Sequence, residues 1–425
     1  MKYLAPLTIG VLALATLLLP SAEPPEPGDE LGIERPPISI CPLVQVGELD
    51  TDIAVLSNVE GDGRVTAFSS GSAAGVTDFS IGSTGSVVIS ASEASAIGVG
   101  GGLIELPSDT TAAGVTVASP IVRSAEACSG EPAPQVYLMG GSTAGDSIFE
   151  IVLMNPYAGD AVASLLVTTE GGIESDTRFD SVLVPALSTV VLDLEEIIPG
   201  REVIAATIDT DRGSLLAFAQ QRQGGDRALW RAVVPEQDWW IVVPGGGARS
   251  LRIGNPVNSE VEYQIDLYGP DGLIERYDTG TIPARAQLRI PVDEISDQAL
   301  GFRVITTAPV VAGLDLAGGG SLGRTTGSPT VASSWLLPGA SNPPGGRSSA
   351  IVLNSGIEPV TVVFRSLREA SHTQTVELAA EDLVEITLVE ADGYRVDASG
   401  PVVALWRSTL GDAVAVAVGV PVEDG

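Results

Sequence analysis

The sequence predicts an all-β protein that contains about four immunoglobulin-like sandwiches in tandem, and three observations lead to this prediction. Gly (49) and Pro (29) are abundant and only 4 % of the 425 residues are aromatic, a composition that favours short strands joined by tight turns. The same order of strand and turn features recurs four times along the chain. Outside the N-terminal segment, no stretch keeps helical periodicity over three turns.

The chain begins with an apolar segment from Tyr3 to Pro20 that follows a single Lys2 and gives way to an acidic, Pro-rich stretch. Its length lies between that of a long signal h-region and that of a short transmembrane helix. Residues 1–22 are therefore predicted to be a signal peptide or a membrane anchor, and an uncleaved segment would contact the membrane. Residues 23–37 are predicted to be an extended linker.

Cys41 and Cys128 are the only cysteines in the chain. In an exported protein thiols oxidise, so we expect the two residues to form a disulfide that closes the first repeat. The chain-entropy estimate for a loop of this length is about 4 to 5 kcal/mol at most.

Four repeats organise the rest of the chain. Each starts with an apolar strand that ends in Asn before a turn, continues with a turn that opens an alternating strand, and closes with a short apolar strand. The repeated residues are Asn58, Asn155, Asn255 and Asn354, which are 97, 100 and 99 residues apart. The predicted boundaries of the repeats are 38–130, 131–237, 238–332 and 333–425.

Strand signals within a repeat support the sandwich. The third repeat contains seven candidate strands, and Val261, Tyr263 and Ile265 alternate with polar neighbours as in a half-buried strand. Seven short alternating strands per hundred residues are typical of an immunoglobulin-like sandwich. The repeated Asn is interpreted as a turn former whose side chain bonds nearby backbone. The alternative fold is a β-propeller with two four-stranded blades per repeat, for which we expect a ring-like rather than an elongated particle.

Charge and composition exclude several functions. The net charge of −32 excludes a nucleic-acid partner, because phosphate binding needs clustered positive charge. His372 is the only histidine, which excludes metal sites that need two or more. The DTDRG run with Asp209 and Asp211 and the segment with Glu60 and Asp62 resemble calcium loops only loosely and are interpreted as polar hairpins. No catalytic, cofactor or metal residues are predicted.

The tryptophans are the most distinctive chemical feature of the sequence. Trp230, Trp239 and Trp240 lie between the second and third repeats, with Arg227 and Arg231 beside them. The favoured interpretation is that these indoles fill junctions between sandwiches. The alternative is an exposed surface that stacks on glycans or meets an acidic partner, with the arginines against the indoles.

The apolar leader, the Pro-rich acidic spacer, the strands ending in Asn-Pro and the VPALSTVVLDL turn and strand from Val184 to Leu194 resemble an uncharacterised family of secreted or membrane-anchored actinobacterial proteins, the domain of unknown function numbered 5719. The resemblance implies an extracytoplasmic location and a sandwich architecture, and it implies no catalytic residues.

Together these features predict a non-enzymatic binding or structural module of the bacterial cell envelope that needs no cofactor and has an envelope protein or glycan as its partner. Two alternatives stay open. One is a cell-wall glycan-binding protein that uses the tryptophans, and the other is a hydrolase that relies on carboxylates alone. The acidity is interpreted as solubility and as protection of exposed strand edges by like charge.

Overall fold

The computed structural model describes residues 37–422 except 46–48, 71, 84, 95–97, 120–122, 131, 270–271, 319–320, 340–345, 368–371 and 390–392. The predicted signal or anchor segment and residues 23–36 of the predicted linker lie outside the described residues. Within the described part of the chain, no helix has the length and apolar character needed to cross a membrane.

The chain is almost entirely β-structure, which confirms the predicted fold class. Strands β1–β8 of the first repeat are Ile38–Gln45, Asp50–Ser57, Gly61–Ser69, Ser72–Ile81, Ser86–Ser90, Gly98–Glu105, Thr111–Ala118 and Arg123–Ala127. Strands β9–β17 of the second are Gln135–Gly141, Ile148–Asn155, Ala161–Thr169, Gly172–Glu174, Val182–Val184, Ser188–Asp193, Ile204–Arg212, Leu216–Gln223 and Asp226–Arg231. A short helix, α1 (Leu194–Ile197), and a 3₁₀ turn (Thr177–Phe179) also lie in the second repeat.

Strands β18–β24 of the third repeat are Glu236–Val243, Ala248–Gly254, Val261–Gly269, Gly272–Ile282, Gln287–Pro291, Leu300–Gly318 and Ser321–Thr326. Strands β25–β32 of the fourth are Ala332–Pro338, Arg347–Asn354, Val360–Ser366, Thr373–Leu378, Leu383–Leu388, Gly393–Leu410, Ala413–Val418 and Val420–Pro421. The long strands β23 and β30 each belong to both sheets of their repeat.

Every repeat pairs its strands in the same order. One sheet, here called the front sheet, contains the first strand of the repeat, and the other, the back sheet, contains the last main strand. The front sheets are β1-β6-β3-β4, β9-β15-β11-β12, β18-β23-β20-β21 and β25-β30-β27-β28, and the back sheets are β5-β2-β7-β8, β14-β10-β16-β17, β22-β19-β23-β24 and β29-β26-β30-β31. These crossovers are those of a sandwich, whereas a propeller blade is a simple meander.

In three sandwiches, a residue within the first strand forms a backbone bridge to a residue just after the last main strand, and the bridge links the two sheets. In the first sandwich, Ile40 forms a backbone bridge to Ser129, and the Cys41–Cys128 disulfide lies beside that bridge. Tyr137 and Trp240 make the corresponding bridges in the second and third sandwiches, to Val233 and Ser328. The predicted disulfide is therefore present, and it adds a covalent link beside a backbone bridge of the kind that the second and third sandwiches also have.

The repeated Asn acts as the predicted turn former in three sandwiches. Asn155, Asn255 and Asn354 are fully buried, and each amide group bonds the backbone of two neighbouring turns. The prediction for the first repeat was wrong by one residue. Asn58 is exposed, and the buried residue at this position is Ser57, whose hydroxyl accepts the Val59 N–H at 3.1 Å.

The four sandwiches form a closed ring, because the front sheet of each packs on the back sheet of the next and the fourth packs on the first. Ile40 and Phe68 of the first sandwich contact Val152 and Met154 of the second. At the last junction, Leu336 of the fourth contacts Leu56 of the first. The last main strands, β8, β17, β24 and β31, contact one another in that cyclic order. The chain thus has the predicted sandwich fold, but its sandwiches form a ring, which was expected only for the alternative propeller fold.

A small residue makes room for a larger one at equivalent points of three junctions. A Cβ at Gly101, Gly301 or Gly393 would lie only 2.9, 2.8 or 2.2 Å, respectively, from Met154, Leu353 or Leu56 of the next sandwich. The three larger residues each precede the buried Asn or Ser at the end of the second strand. At the remaining junction the sizes are exchanged, since Gly254 accepts the ring of Tyr137.

Candidate functional site

The predicted tryptophan surface is not exposed. Trp230 and Trp239 are each 1 % exposed and Trp240 is 7 % exposed, so these indoles do not offer a stacking surface to a glycan, and that alternative is wrong for these residues. The physical reason is that each ring fills space inside or between sandwiches, where a large apolar area is stabilised by burial. Trp230 stacks on Phe149 at 5.7 Å between ring centroids.

Hydrogen bonds and cations hold the same indoles in place. The indole N–H of Trp230 donates to Met139 O at 2.9 Å, and that of Trp239 donates to Val310 O at 2.8 Å. The guanidinium of Arg324, from the third sandwich, lies 4.2 Å from the centroid of Trp230. Trp230 is therefore a junction residue between the second and third sandwiches, as the favoured interpretation stated.

The predicted arginines are also internal. Arg227 is 5 % exposed and donates to the side chain of Gln220. Arg231 is half-buried, and its backbone N–H donates to the Glu126 carboxylate of the first sandwich at 3.2 Å. The expected surface patch of arginines is thus wrong for Arg227, and Arg231 contributes to the contact between β8 and β17.

The contact between these last strands uses side chains in place of sheet pairing. Ser124 Oγ accepts the Leu229 N–H at 2.7 Å, and Glu126 accepts the next outward-facing N–H, that of Arg231. Asp226 in turn accepts the Leu322 N–H of β24 at 2.6 Å. Edge N–H groups that could recruit other chains are satisfied inside the ring.

Glu126 makes the stability of the ring depend on pH. Burial raises the pKa of Glu126 to about 7 from an ordinary value of 4.5, although Arg231 opposes the change. Between these values the folded chain retains a proton that the unfolded chain has lost, so the free energy of unfolding falls as pH rises from 4.5 through 7. The expected size is about 3 kcal/mol, since one pKa unit corresponds to about 1.4 kcal/mol.

We expect the variant Glu126→Gln to lose this contribution. Its free energy of unfolding, measured by urea unfolding at intervals from pH 4.5 to 7.5, should change less with pH than that of the unchanged chain. Burial also raises the pKa of Asp52 and of Glu150, but these groups are unchanged in the variant, so they cancel in the comparison. Parallel pH profiles for the two proteins would contradict the assignment.

Three junctions carry an equivalent surface groove, here called the junction groove. In each, one sandwich contributes the end of its third strand or the start of its sixth, and the next sandwich contributes the turn before its fifth strand. The groove between the second and third sandwiches has a volume of about 440 Å³ and is lined by Thr168, Glu170, Ile173, Asn258, Arg285 and Gln287, among others. The groove between the third and fourth, about 500 Å³, is lined by Gly245, Asp297, Gln298, Ala299, Asp382, Leu383 and Glu385.

The groove between the fourth and first sandwiches is the largest of the three, at about 630 Å³. Its charged lining residues are Glu60 of the first sandwich and Arg365 and Arg395 of the fourth. Both guanidinium groups bond Asp397, at 2.7 and 2.6 Å. The three grooves therefore share one geometry but differ in charge, from strongly acidic to nearly balanced.

Exposed aliphatic side chains line two of these grooves. Val59 lines the groove between the fourth and first sandwiches and is 43 % exposed, and Ile173 lines the one between the second and third and is 59 % exposed. Ile357 is 80 % exposed on the loop of the fourth sandwich that corresponds to the Asn258 and Glu60 loops. Sequence reasoning missed these residues; Val59 and Ile357 lie in the turn directly after the repeated Ser or Asn, whereas Ile173 lies in strand β12.

The remaining candidates have structural roles. Asp209 accepts from the Gln135 amide at 2.6 Å and Asp211 from the Ser164 hydroxyl at 2.5 Å, as expected for polar hairpins. Asp62 accepts from Ser80 at 2.6 Å. In the described ranges, no three His, Cys, Asp or Glu side chains are grouped so as to hold a metal ion.

The match to known families falls on the repeats themselves. Residues 88–388, which run from the first sandwich into the fourth, match the model of a family of unknown function, DUF5719. The chain belongs to the DUF5719 family. This confirms the family that the sequence resembled. No curated protein matches the chain.

Several solved structures align with parts of this DUF5719 chain. The crystal structure of Thermotoga maritima 1070 is 16 % identical over 22 % of this chain and 94 % of its own, with a TM-score of 0.19. A tetra-tandem repeat from the extending region of a large adhesion protein is 9 % identical over 89 % of this chain and 92 % of its own, with a TM-score of 0.10. A structure titled BspA_C_mut is 10 % identical over 51 % and 90 %, with a TM-score of 0.13.

Proposed function

We propose that this DUF5719 protein is a non-enzymatic binding module of the cell envelope that works outside the cytoplasm and presents its junction grooves to an envelope partner. The observation that carries the proposal is the recurrence of one groove at three junctions, each formed by loops on a scaffold of paired sheets. Binding residues commonly lie on loops that a rigid scaffold positions.

The disulfide supports the proposed location outside the cytoplasm. A buried Cys41–Cys128 pair is typical of proteins that fold in an oxidising compartment. The predicted leader supports export, and whether it is cleaved decides between a secreted and an anchored protein.

The exposed aliphatic side chains in the grooves favour a partner that covers them. Ile173 and Val59 line two of the grooves, and their side chains are 59 % and 43 % exposed. Covering one such side chain is worth about 1.5 to 3 kcal/mol, so two grooves engaged together provide a substantial apolar contribution. Their polar linings would then set the orientation of the partner.

Binding of the exported chain to isolated envelopes of the producing cells tests the proposal. We expect Ile173→Asp and Val59→Asp each to weaken binding by roughly tenfold or more, because exposing one buried Ile or Val side chain to water costs at least about 1.4 kcal/mol. Leu183→Asp is the matched control, since Leu183 is 52 % exposed on the same sandwich as Ile173 but does not line the groove. Equal binding by all three folded variants and the unchanged chain would refute the role of the grooves.

A further inference from the structure

We propose that the junction groove between the second and third sandwiches binds an acidic peptide, with Arg285 paired to a carboxylate of the peptide and Ile173 packed on an aliphatic side chain beside it. The inference rests on the proposed function, because it names the chemistry of the partner at one junction groove.

Arg285 differs from the other arginines that line junction grooves, because it has no carboxylate partner. In the groove between the fourth and first sandwiches, Arg365 and Arg395 both bond Asp397. Arg285 lines the groove between the second and third sandwiches, and its Nη1 donates to Pro256 O. Among the residues that the structure describes, no carboxylate forms an ion pair with Arg285. Its positive charge is therefore not neutralised by a neighbouring carboxylate, and a ligand carboxylate would complete a charge-assisted pair.

The backbone of Arg285 has a left-handed conformation that arginine rarely adopts. Leu187, Arg285 and Glu381 occupy the same position in the turn before the fifth strand, with φ of 49°, 59° and 60°. In each turn, the N–H of this residue donates to the backbone oxygen two residues after the repeated Asn. Glycine adopts this conformation at lower energy, so the turn alone does not account for the three larger side chains. They are aliphatic, basic and acidic in chain order, so the position gives each turn a different chemistry.

The other lining residues favour a peptide over an acidic sugar. Ile173 lies on the wall that the second sandwich contributes and is 59 % exposed. An aliphatic side chain would cover it and stabilise the complex by burial, whereas sugar hydroxyls would not. On the wall from the third sandwich, Gln287 Oε1 is buried and has no hydrogen-bond partner within the described part of the chain. A peptide supplies both the aliphatic side chain and a backbone N–H that this oxygen would accept.

Glu170, the carboxylate among the described lining residues of this groove, is bonded to its own sandwich. Its Oε2 accepts the Val203 N–H at 3.1 Å. Although burial acts in the opposite direction, the backbone N–H groups of Glu170, Val203 and Glu202 lower the pKa of this carboxylate. Its charge is therefore stabilised by N–H groups of the second sandwich, and Arg285 on the opposite wall remains to attract a ligand carboxylate.

Isothermal titration calorimetry of the exported chain with two short peptides tests the proposal. The probes are N-acetyl-Glu-Leu-Glu amide and its neutral counterpart N-acetyl-Gln-Leu-Gln amide, which has nearly the same shape. At about 0.15 M salt the Debye length is about 8 Å, so the distant carboxylates of the chain are screened. We expect the acidic peptide to bind the unchanged chain about tenfold more tightly than the neutral peptide. Arg285→Gln should abolish this preference, and Arg285→Lys should retain part of it because the charge is kept.

Arg276→Gln is the matched control. Arg276 belongs to the same sandwich, is exposed and also has a left-handed backbone, with φ of 50°, but it does not line the groove. This variant is expected to keep the full preference for the acidic peptide. Loss of the preference in Arg276→Gln to the same extent as in Arg285→Gln would overturn the assignment to Arg285.

The unchanged chain alone also decides, even if Arg285→Gln does not fold. The proposal is wrong if the two peptides bind equally, if neither binds, or if digalacturonate binds and the acidic peptide does not. Envelope binding separates this failure from failure of the proposed function. If Ile173→Asp weakens envelope binding while the two peptides bind equally, the acidic peptide is refuted and the role of the groove stands.

Discussion

Replacement of Asn255 by Ala is expected to lower the free energy of unfolding of the third sandwich by about 3 to 5 kcal/mol. The Asn255 amide donates to Ser259 O at 2.8 Å, to Ile282 O at 3.1 Å and to Pro283 O at 2.9 Å, and its oxygen accepts the Val257 N–H at 2.9 Å. The side chain is fully buried, so its loss leaves several backbone groups without a partner, each costing about 1 to 3 kcal/mol.

Urea unfolding followed by tryptophan fluorescence measures this effect, since Trp239 and Trp240 report on the third sandwich. Asn258→Ala is the control, because Asn258 is exposed in the same loop and surface substitutions usually change stability by less than about 0.5 kcal/mol. A loss below 1 kcal/mol in Asn255→Ala would show that water replaces the amide at little cost.

The sequence predicted the features that depend on local pattern. The spacing of Asn155, Asn255 and Asn354 revealed the repeats, because a buried turn former is needed at the same place in each sandwich. In the first repeat the predicted turn former was one residue away from the actual one, because Ser57 supplies only a hydroxyl and its neighbour Asn58 resembles the motif. A hydroxyl can accept the local N–H as Asn does, which is why the substitution is tolerated structurally.

Closure of the ring could not be predicted in the same way. It depends on pairs such as Gly393 with Leu56, which are more than 300 residues apart and whose fit is a matter of size rather than pattern. The grooves follow from closure, so they were missed with it. The tryptophans show the converse case, because a junction role was favoured from sequence, whereas Trp239 and Trp240 bond residues of their own sandwich and Trp230 contacts Arg324 of the next one.

The buried charges at the junction between the second and third sandwiches lead to the second large prediction. Asp315 lies between Arg252, whose Nε donates at 2.9 Å, and Arg324, whose Nε donates at 2.6 Å. Arg324 also donates to Gly140 O of the second sandwich. Although burial acts in the opposite direction, the two guanidinium groups lower the pKa of Asp315 to about 2.

Asp315→Ala is expected to destabilise the chain by about 3 to 5 kcal/mol, because it leaves two buried cations without their counter-charge. The exposed pair Arg64–Asp78 supplies the control, since Asp78→Ala removes a carboxylate that is largely in solvent and is expected to cost at most about 1 kcal/mol. Urea unfolding at pH 7 measures both.

The free energy of unfolding at acid pH distinguishes the loss of the Asp315 charge from the loss of its packing. The Asp315 carboxylate has a lower pKa in the folded chain than its ordinary 3.8, so its contribution is present above pH 3.8 and is lost as pH falls through about 2. The unchanged chain should therefore lose stability in that range by more than Asp315→Ala does.

A triple change of Asp315 to Leu and of Arg252 and Arg324 to Met is expected to recover most of the stability at pH 7, because a packed apolar cluster can replace a buried ionic one. If the triple variant were as unstable as Asp315→Ala, the junction would depend on the directed bond from Arg324 to Gly140 rather than on balanced charge.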